Sequence, residues 1–267
     1  MKQVKEVNRA WKVMKVILVA AVAGASIGVD AGAQSIARRV AQVRDGTVRM
    51  SFASRPEVCG NGRGSITTRP GQRVGRFSGE WEDECEPGPV RIAVDVADRQ
   101  VIAIRAYVGG RWRGGDATDL GMVGVREAVD FLLGDVVRGG GKAAQNAIFP
   151  ATIADSVTVW PRLLTIARDD DIERGARTQA VFWVGQAAGD KAAEGLREVV
   201  GESKLDREVR LQAVFALSQH RDGGVPALID IAKSSKDAEV RKQAIFWLGQ
   251  SKDKRALDYF EAILTKR

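Results

Sequence analysis

The sequence predicts an α+β fold, in which a small N-terminal antiparallel β domain is followed by a C-terminal α-α superhelix, a solenoid of stacked helix pairs. Two observations lead to this prediction. A twelve-residue pattern occurs three times towards the C-terminus, and strands of alternating polarity precede residue 116. The spacing of apolar residues changes from alternating to helical near Gly114-Gly115. We therefore expect a β-rich domain at 34–116 and a helical domain at 117–267, after a targeting segment at 1–33.

The repeated pattern reads GARTQAVFWVGQ, EVRLQAVFALSQ and EVRKQAIFWLGQ, with Gln179, Gln212 and Gln243 in equivalent places. Separations of 33 and 31 residues indicate an array of stacked helix pairs. Apolar residues recur at i, i+4, i+7 and i+8, which forms one stripe on a helix of period 3.6. Each copy is followed by a break and a second amphipathic helix, so clear repeats are expected over 172–267.

Acidic residues stand near the start of the repeated helices. Asp206 and Asp237 come four residues before Arg210 and Arg241, and the first copy carries Glu173 in this place. An acid at a helix N-terminus interacts favourably with the helix dipole, and it can pair with an arginine one turn later.

These residues resemble the HEAT repeat, in particular the short bacterial form related to phycobilisome-lyase repeats. The Asp-x-x-x-Arg spacing, the alanines Ala180, Ala213 and Ala244, and the Gly-Gln or Ser-Gln helix ends carry the resemblance, which covers roughly residues 155 to 267. It implies a protein-binding scaffold, because such repeats mostly serve that role. Some sit beside lyase activities, but no lyase motif can be matched here.

The first 33 residues have the features of a signal peptide. Five basic residues precede an apolar run at 16–29, and Ala31-Gly32-Ala33 forms an A-x-A cleavage site before Gln34. The run is shorter than the roughly 20 residues needed to span a bilayer. We therefore expect cleavage near Ala33, a periplasmic or secreted protein and no membrane insertion after cleavage. An uncleaved anchor is the alternative.

The two cysteines of the chain, Cys59 and Cys85, are expected to form a disulfide bond, as two cysteines in an exported protein most simply do. A metal site or a cysteine nucleophile is a poorer explanation, because one histidine in the chain leaves few partners for either. We expect no metal site, no cofactor and no catalytic residue.

The net charge predicts no nucleic-acid partner. The total is +7, and the targeting segment contributes five basic and two acidic residues, which leaves +4 for the remainder. Between Gln34 and Asp116 the chain contains arginine but no lysine. Genomic composition is the favoured explanation, and an arginine-rich anion-binding face is the alternative.

The N-terminal region predicts strands around Val48–Phe52, Val90–Val96 and Ile102–Val108, with a hairpin turn at Asp98-Arg99 between the last two. A short helix is expected at Ser35–Val43, and a loop at Cys59–Gly64. Between the two domains, helices are expected at Val125–Val137, Lys142–Ile148 and Val157–Ala167, as degenerate repeats that cap the array.

Two tryptophans and the single histidine favour structural explanations. Trp183 and Trp247 lie at i+7 of the apolar stripe, so core packing is favoured over a binding ladder. His220 follows a repeat helix, where a cation suits the helix C-terminus. No G-x-S-x-G or H-E-x-x-H motif appears in the sequence.

Two functions remain open. The first is an exported scaffold that mediates protein–protein interaction in the cell envelope, without catalysis of its own. In HEAT repeats the second helix of each pair usually lines the concave face, which here implies a mixed-charge partner-binding surface made of Glu194, Arg197, Glu198, Asp230, Lys233, Asp258 and Glu261. The alternative is an envelope hydrolase or lyase with a carboxylate-based site in the β domain, which needs converging acids in a cleft.

Overall fold

The computed structural model describes residues 34–69, 72–74, 85–112, 114–187, 190–220 and 223–265. The predicted signal peptide lies outside the described residues. Strands occupy the N-terminal part and helices the C-terminal part, so the fold is α+β. Residues Ser35–Arg267 form one compact unit, and no helix of the described part is long and apolar enough to cross a membrane.

A four-stranded sheet, sheet A, forms the centre of the N-terminal part, with strand order β7-β6-β1-β8. Its strands are β1 (Gly46–Phe52), β6 (Val90–Ala97), β7 (Gln100–Val108) and β8 (Thr118–Met122). The predicted turn at Asp98-Arg99 is confirmed, and both residues have the positive φ of a tight hairpin turn. β8 pairs with β1 in parallel, whereas the sequence predicted an antiparallel sheet.

A second small sheet, sheet B, runs in the order β4-β3-β2-β5. It contains β2 (Cys59–Gly60), β3 (Ile66–Arg69), β4 (Gln72–Val74) and β5 (Glu86–Pro87). The segment expected to be a loop at Cys59–Gly64 therefore begins with a strand. These strands were missed because two to four residues are too short to show alternating polarity.

One face of sheet A is buried, and the other is partly open. Val48, Met50 and Phe52 alternate with Thr47, Arg49 and Ser51 along β1, and the first three are fully buried. This apolar face belongs to the same core as the helices. The short predicted N-terminal helix is α1 (Ile36–Ala41), which Ser35 caps by accepting a hydrogen bond from the backbone N of Arg38.

The connecting helices differ from the sequence prediction in detail. The predicted helix at Val125–Val137 is divided into α2 (Val125–Asp130), a π-helical segment (Phe131–Val136) and α3 (Val137–Gly139). The next helix, α4 (Gly141–Thr152), continues through Pro150 instead of ending at Ile148. Pro150 lies in the last turn, where a proline removes one backbone hydrogen bond without interrupting a long helix.

Among its described residues, the repeat region contains seven helices: α5 (Trp160–Arg168), α6 (Arg174–Gly185), α7 (Asp190–Gly201), α8 (Arg207–Gln219), α9 (Gly224–Ser234), α10 (Ala238–Gln250) and α11 (Lys254–Thr265). Each repeat copy lies on α6, α8 or α10, as predicted. Contacts connect α4, α6, α8 and α10 in one layer, and α5, α7, α9 and α11 in a second layer.

Small residues allow the first-layer helices to approach closely. Ala180, Ala213 and Ala244 are fully buried, as the apolar stripe predicted. A Cβ atom added to Gly185 on α6 would lie 2.8 Å from the Cβ of Ala216 on α8, so these two helices meet almost backbone to backbone. The repeat sequence thus selects small residues where successive first helices touch.

The predicted apolar stripe of the last helix is only partly buried. On α11 the core positions are Ala256 and Tyr259, whereas Leu257, Ile263 and Leu264 are exposed. The structure places this helix against α9. The earlier second-layer helices α7 and α9 each lie between two other helices of their layer. Their apolar residues Leu196, Val199 and Leu228 are therefore buried.

Candidate functional site

Arginines of the first-layer helices connect each repeat to the next. The Arg177 guanidinium on α6 forms ion pairs with Asp206, which precedes α8, and with Asp170 at 2.8 Å. Arg210 on α8 repeats the arrangement with Asp237, which precedes α10, at 3.0 Å. Both arginines are buried. The repeat spacing therefore produces a ladder of Arg–Asp pairs between neighbouring repeats.

This ladder differs from the pairing that the sequence suggested. The expected partners were Asp206 with Arg210 and Asp237 with Arg241, each within one helix. In the structure Arg210 reaches forward to the next repeat, and Arg241 donates to the backbone carbonyl of Ser235 at 2.7 Å. The stacking of the helices brings Asp237 of the next repeat closer to the Arg210 guanidinium than Asp206, which stands one turn before Arg210.

Asp237 has two roles in this ladder. Its carboxylate caps α10 by accepting hydrogen bonds from the backbone N of Glu239 and of Val240. The hydrogen bond from Val240 is the main cause that lowers the pKa of Asp237 below its ordinary value, and Arg210 and Arg207 lower it further. Partial burial opposes these effects. Asp237 therefore stays ionised beside the buried Arg210.

All seven residues predicted to bind a partner are exposed on second-layer helices: Glu194, Arg197 and Glu198 on α7, Asp230 and Lys233 on α9, and Asp258 and Glu261 on α11. The structure brings several of them together. Arg197 pairs with Asp230 at 3.2 Å, and the Lys233 ammonium lies 5.7 Å from the ring centroid of Tyr259 on α11. These contacts run from α7 through α9 to α11.

Three of the seven residues have neighbours outside this line. Glu198 pairs with Arg168 of α5 at 2.9 Å, and Asp258 pairs with Lys254 of its own helix at 2.6 Å. The backbone carbonyl of Glu261 accepts a hydrogen bond from the hydroxyl of Thr265. Glu194 is exposed on α7.

An open groove of about 990 Å³ lies beside the Arg197–Asp230 pair. We call it the repeat groove. Its charged lining residues are Arg197, Arg207, Arg210, Asp230, Lys236, Asp237 and Glu239. Both signs of charge occur in it, which suits a polypeptide with both signs of charge. The sequence analysis missed Arg207, Lys236 and Glu239, because it considered only the faces of the second helices. These three residues lie in the first turn of a first-layer helix or just before it.

The two repeat tryptophans contact the core, as predicted. The Trp183 ring stacks on Phe149 with centroids 4.9 Å apart, and Trp247 contacts Phe215 at 5.1 Å. Both are partly buried against the core. The indole Nε1 atoms of both tryptophans are buried without a hydrogen-bond partner among the described residues. These rings therefore act as packing residues in equivalent places of two repeats.

His220 is buried at the end of α8. Its backbone N donates to the carbonyl of Leu217, and neither ring nitrogen has a hydrogen-bond partner among the described residues. The structure thus places His220 as the cap residue of a repeat helix.

The disulfide between Cys59 and Cys85 is confirmed, with the two Cα atoms 5.2 Å apart. It joins the start of β2 to the residue before β5, in the sheet B register where Cys59 faces Pro87. The described residues contain no group of three or more His, Cys, Asp or Glu side chains able to hold a metal ion.

The hydrolase or lyase alternative needs converging carboxylates in the β region. The cleft on the open face of sheet A instead has five arginines and one carboxylate, Asp116, among its described lining residues. This arrangement provides positive charge and hydrogen-bond donors, which can bind an anion but cannot act as a carboxylate acid–base pair.

Comparison with known protein families identifies a repeat family in the C-terminal part of the chain. No curated protein matches the chain. The family described as HEAT repeats matches residues 201–267, a segment that contains α8 to α11 and the Arg210–Asp237 pair. The HEAT repeat assignment predicted from the sequence is therefore supported for the C-terminal repeats.

Proposed function

We propose that the protein is an exported scaffold whose helical repeats form a solenoid and bind a protein partner through the second-layer helices. The observation that carries the proposal is the exposed line of mixed charge from α7 through α9 to α11, beside the repeat groove. The HEAT repeat match supports it, since such repeats commonly mediate protein–protein interaction. No catalytic step is part of the proposal.

The exposed apolar residues of α11 also support a protein partner. Leu264 is 79% exposed, and Leu257 and Ile263 are exposed as well. Groups of exposed apolar side chains beside polar residues are typical of protein interaction surfaces. A partner bound along α7, α9 and α11 could therefore bury apolar area and satisfy charges together.

Export is proposed on the features of the first 33 residues, namely the basic start, the apolar run and the Ala31-Gly32-Ala33 site. The disulfide supports an oxidising compartment, because disulfides persist outside the reducing cytosol. N-terminal sequencing of the protein from the envelope fraction tests this proposal. A mature start near Gln34 is expected, whereas a start at Met1 would indicate an uncleaved anchor.

Charge reversal of the second-layer surface tests the scaffold proposal. The variant carries Glu194→Lys, Asp230→Lys and Glu261→Lys. The control carries three charge reversals at exposed acids outside the second-layer helices and the repeat groove, namely Asp135→Lys, Asp171→Lys and Glu208→Lys. The protein is crosslinked in the envelope and purified, and its bound proteins are identified by mass spectrometry. We expect a partner that the wild type and the control retain and that the surface variant loses. Equal recovery by all three proteins would argue against this surface.

A further inference from the structure

The open face of sheet A forms a cleft of about 500 Å³ that contains an unusual density of arginines. The described arginines that line it are Arg49, Arg63, Arg91, Arg105 and Arg111. The β registers place Arg49 opposite Ala93, and Ala93 opposite Arg105, so the two arginines flank a small residue across three strands. The small side chain of Ala93 leaves space between the two arginines, and this space forms the floor of the cleft.

Only one of these arginines is neutralised by an acid among the described residues. The Arg105 guanidinium contacts both carboxylate oxygens of Asp95 at 2.8 Å, and Asp95 also accepts a hydrogen bond from the hydroxyl of Thr47. The other four arginines form no ion pair in the described part of the chain. Among the described lining residues, positive charge therefore exceeds the negative charge of the single carboxylate, Asp116.

Neighbouring acids outside the lining have other hydrogen bonds. The Glu86 carboxylate accepts from the backbone N of Gly110 at 2.8 Å. Asp119, opposite Arg49 in the parallel register, accepts from the backbone N of Gly121. Neither forms an ion pair with the cleft arginines among the described residues.

Two of the arginines are held in place before any ligand binds. The Arg91 guanidinium donates to the backbone carbonyls of Gly109 at 3.2 Å and Gly110 at 2.6 Å. Arg49 lies 5.1 Å and Arg91 6.0 Å from the ring centroid of Trp112, within the range of a cation–π interaction. A planar guanidinium fixed in this way presents its remaining donors to a carboxylate or phosphate with little further loss of freedom.

The loop of sheet B positions a further arginine at this cleft. The Asn61 side chain accepts hydrogen bonds from the backbone N of Arg63, Gly64 and Ser65. The backbone N of Gly62 donates to the carbonyl of Val108 at 2.9 Å. This loop follows β2, which begins at Cys59, so the disulfide-linked sheet places Arg63 beside sheet A.

We propose that this cleft binds a small organic anion carrying two or more phosphate or carboxylate groups. A volume of about 500 Å³ lies within the range of small-molecule sites. Arginine suits such groups because its planar fork donates two parallel hydrogen bonds to one oxyanion, as a lysine ammonium cannot. The absence of lysine between Gln34 and Asp116 agrees with this chemistry. The inference does not depend on the repeat surface described above.

Calorimetric titration with inorganic pyrophosphate and with citrate, at low ionic strength, tests the proposal on the purified mature protein. The variants are Arg49→Gln and Arg63→Gln, and Arg44→Gln outside the cleft is the control with the same change of charge. We expect saturable binding of at least one anion at one site, weakened about tenfold by each cleft variant and hardly by the control. Added salt should also weaken binding of the anion to the wild-type protein.

The two anions distinguish the sources of the charge. Tighter binding of pyrophosphate supports a phosphate-bearing ligand, and tighter binding of citrate supports a carboxylate-bearing one. Arg63 is on an exposed loop, so Arg63→Gln still tests the site if Arg49→Gln does not fold. Failure of both anions to saturate, or equal binding by the cleft variants and Arg44→Gln, would overturn the proposal. Titration with poly-glutamate completes the test, and binding of this polymer without binding of either small anion would also overturn the proposal, because the ligand would then not be small.

Discussion

Arginine is used differently in the two regions of the molecule. In the helical repeats Arg177 and Arg210 are buried, and each meets an aspartate of the next repeat. On the open face of sheet A, Arg49 and Arg63 line a cleft and form no ion pair among the described residues. The same side chain therefore joins structural elements in one region and remains available to a ligand in the other.

The difference has an energetic consequence. A buried arginine that loses its carboxylate, or a carboxylate that loses its arginine, leaves an uncompensated charge, so that change costs folding stability. An arginine at an open cleft is solvated in the free protein, so its removal costs little stability and mainly weakens binding. Substitutions that look alike in the sequence should thus separate into a stability class and a binding class.

The regions also differ in how far their contacts reach along the chain. Sheet A pairs β1 with β6 across about 40 residues, and a disulfide joins residues 26 apart in sheet B. Each repeat mainly contacts its neighbours, so array stability is roughly a sum of local terms and its ends fray first. Damage to the last repeat should therefore remain local.

The largest effect is expected from Ala244→Glu, which breaks the last repeat. Ala244 is fully buried on α10, and a carboxylate there would be unpaired and too large for the space. We expect a loss of about 4 kcal/mol in the free energy of unfolding. Hydrogen exchange should show lost protection in α10 and α11, with sheet A still protected.

Ala238→Glu is the matched control for this substitution. It makes the same change on the same helix, but Ala238 is exposed in the first turn, where an acid is favourable. Its exchange pattern should resemble that of the wild type. Loss of protection throughout both regions in Ala244→Glu would mean that the molecule unfolds as one cooperative unit.

Removal of the disulfide should affect the opposite region. The double variant Cys59→Ser, Cys85→Ser opens a loop of 26 residues, and the entropy gained by the unfolded chain should lower stability by about 3 kcal/mol. Protection should fall in sheet B, while the helical repeats remain unchanged. A reductant should reproduce the effect in the wild type and have none in the variant. Equal melting temperatures of the wild type and the variant would contradict this prediction.

A smaller loss of stability is expected when one Arg–Asp pair of the ladder is removed. Arg210→Gln deletes the ion pair with Asp237 and a charged hydrogen bond to the carbonyl of Val200, so a loss of about 2 kcal/mol is expected in urea unfolding. Arg207→Gln is the control, because Arg207 is exposed and lies 3.9 Å from the same carboxylate. That variant should change stability by less than about 0.5 kcal/mol. Similar losses in both would mean that burial of Arg210 has no special role.

Much of this fold could be predicted where the information is local. The period of 3.6 placed the repeats on α6, α8 and α10, and the Asp98-Arg99 turn was readable between two alternating strands. The disulfide followed from there being two cysteines in a chain predicted to be exported. Each of these predictions depends on neighbours in sequence or on simple counting.

The features that sequence reasoning missed depend on distant neighbours. Arg210 has an aspartate one turn before it, and only the stacking of α8 on α10 shows that Asp237 is nearer. The parallel pairing of β8 with β1 joins segments about 70 residues apart. The arginine cleft gathers Arg49, Arg91 and Arg105 from three strands and Arg63 from a loop. Composition alone therefore suggested an anion-binding face without locating it.

The smallest predicted effect concerns the ladder at acidic pH. Because the hydrogen bond from Val240 and the nearby arginines lower the folded-state pKa of Asp237 below 3.8, folding favours its ionised form. Its contribution to stability is complete above the unfolded pKa and is lost as the pH falls through the folded-state pKa. Wild-type stability should therefore decrease more steeply below about pH 4 than that of Asp237→Asn, whose side chain still caps α10 but carries no charge.

Urea unfolding at several pH values, from about pH 5 down to pH 2, measures this difference. The main cause of the lowered pKa is a backbone hydrogen bond, which salt screens little, while the attraction to Arg210 and Arg207 is weakened by salt. Most of the extra slope should consequently persist in high salt. If salt abolished it, the ion pairs and not the helix cap would set the pKa of Asp237. If the wild type and Asp237→Asn lost stability in parallel over this range, the carboxylate would contribute nothing through its charge, and the ladder would owe its stability to packing and to the neutral hydrogen bonds of its members.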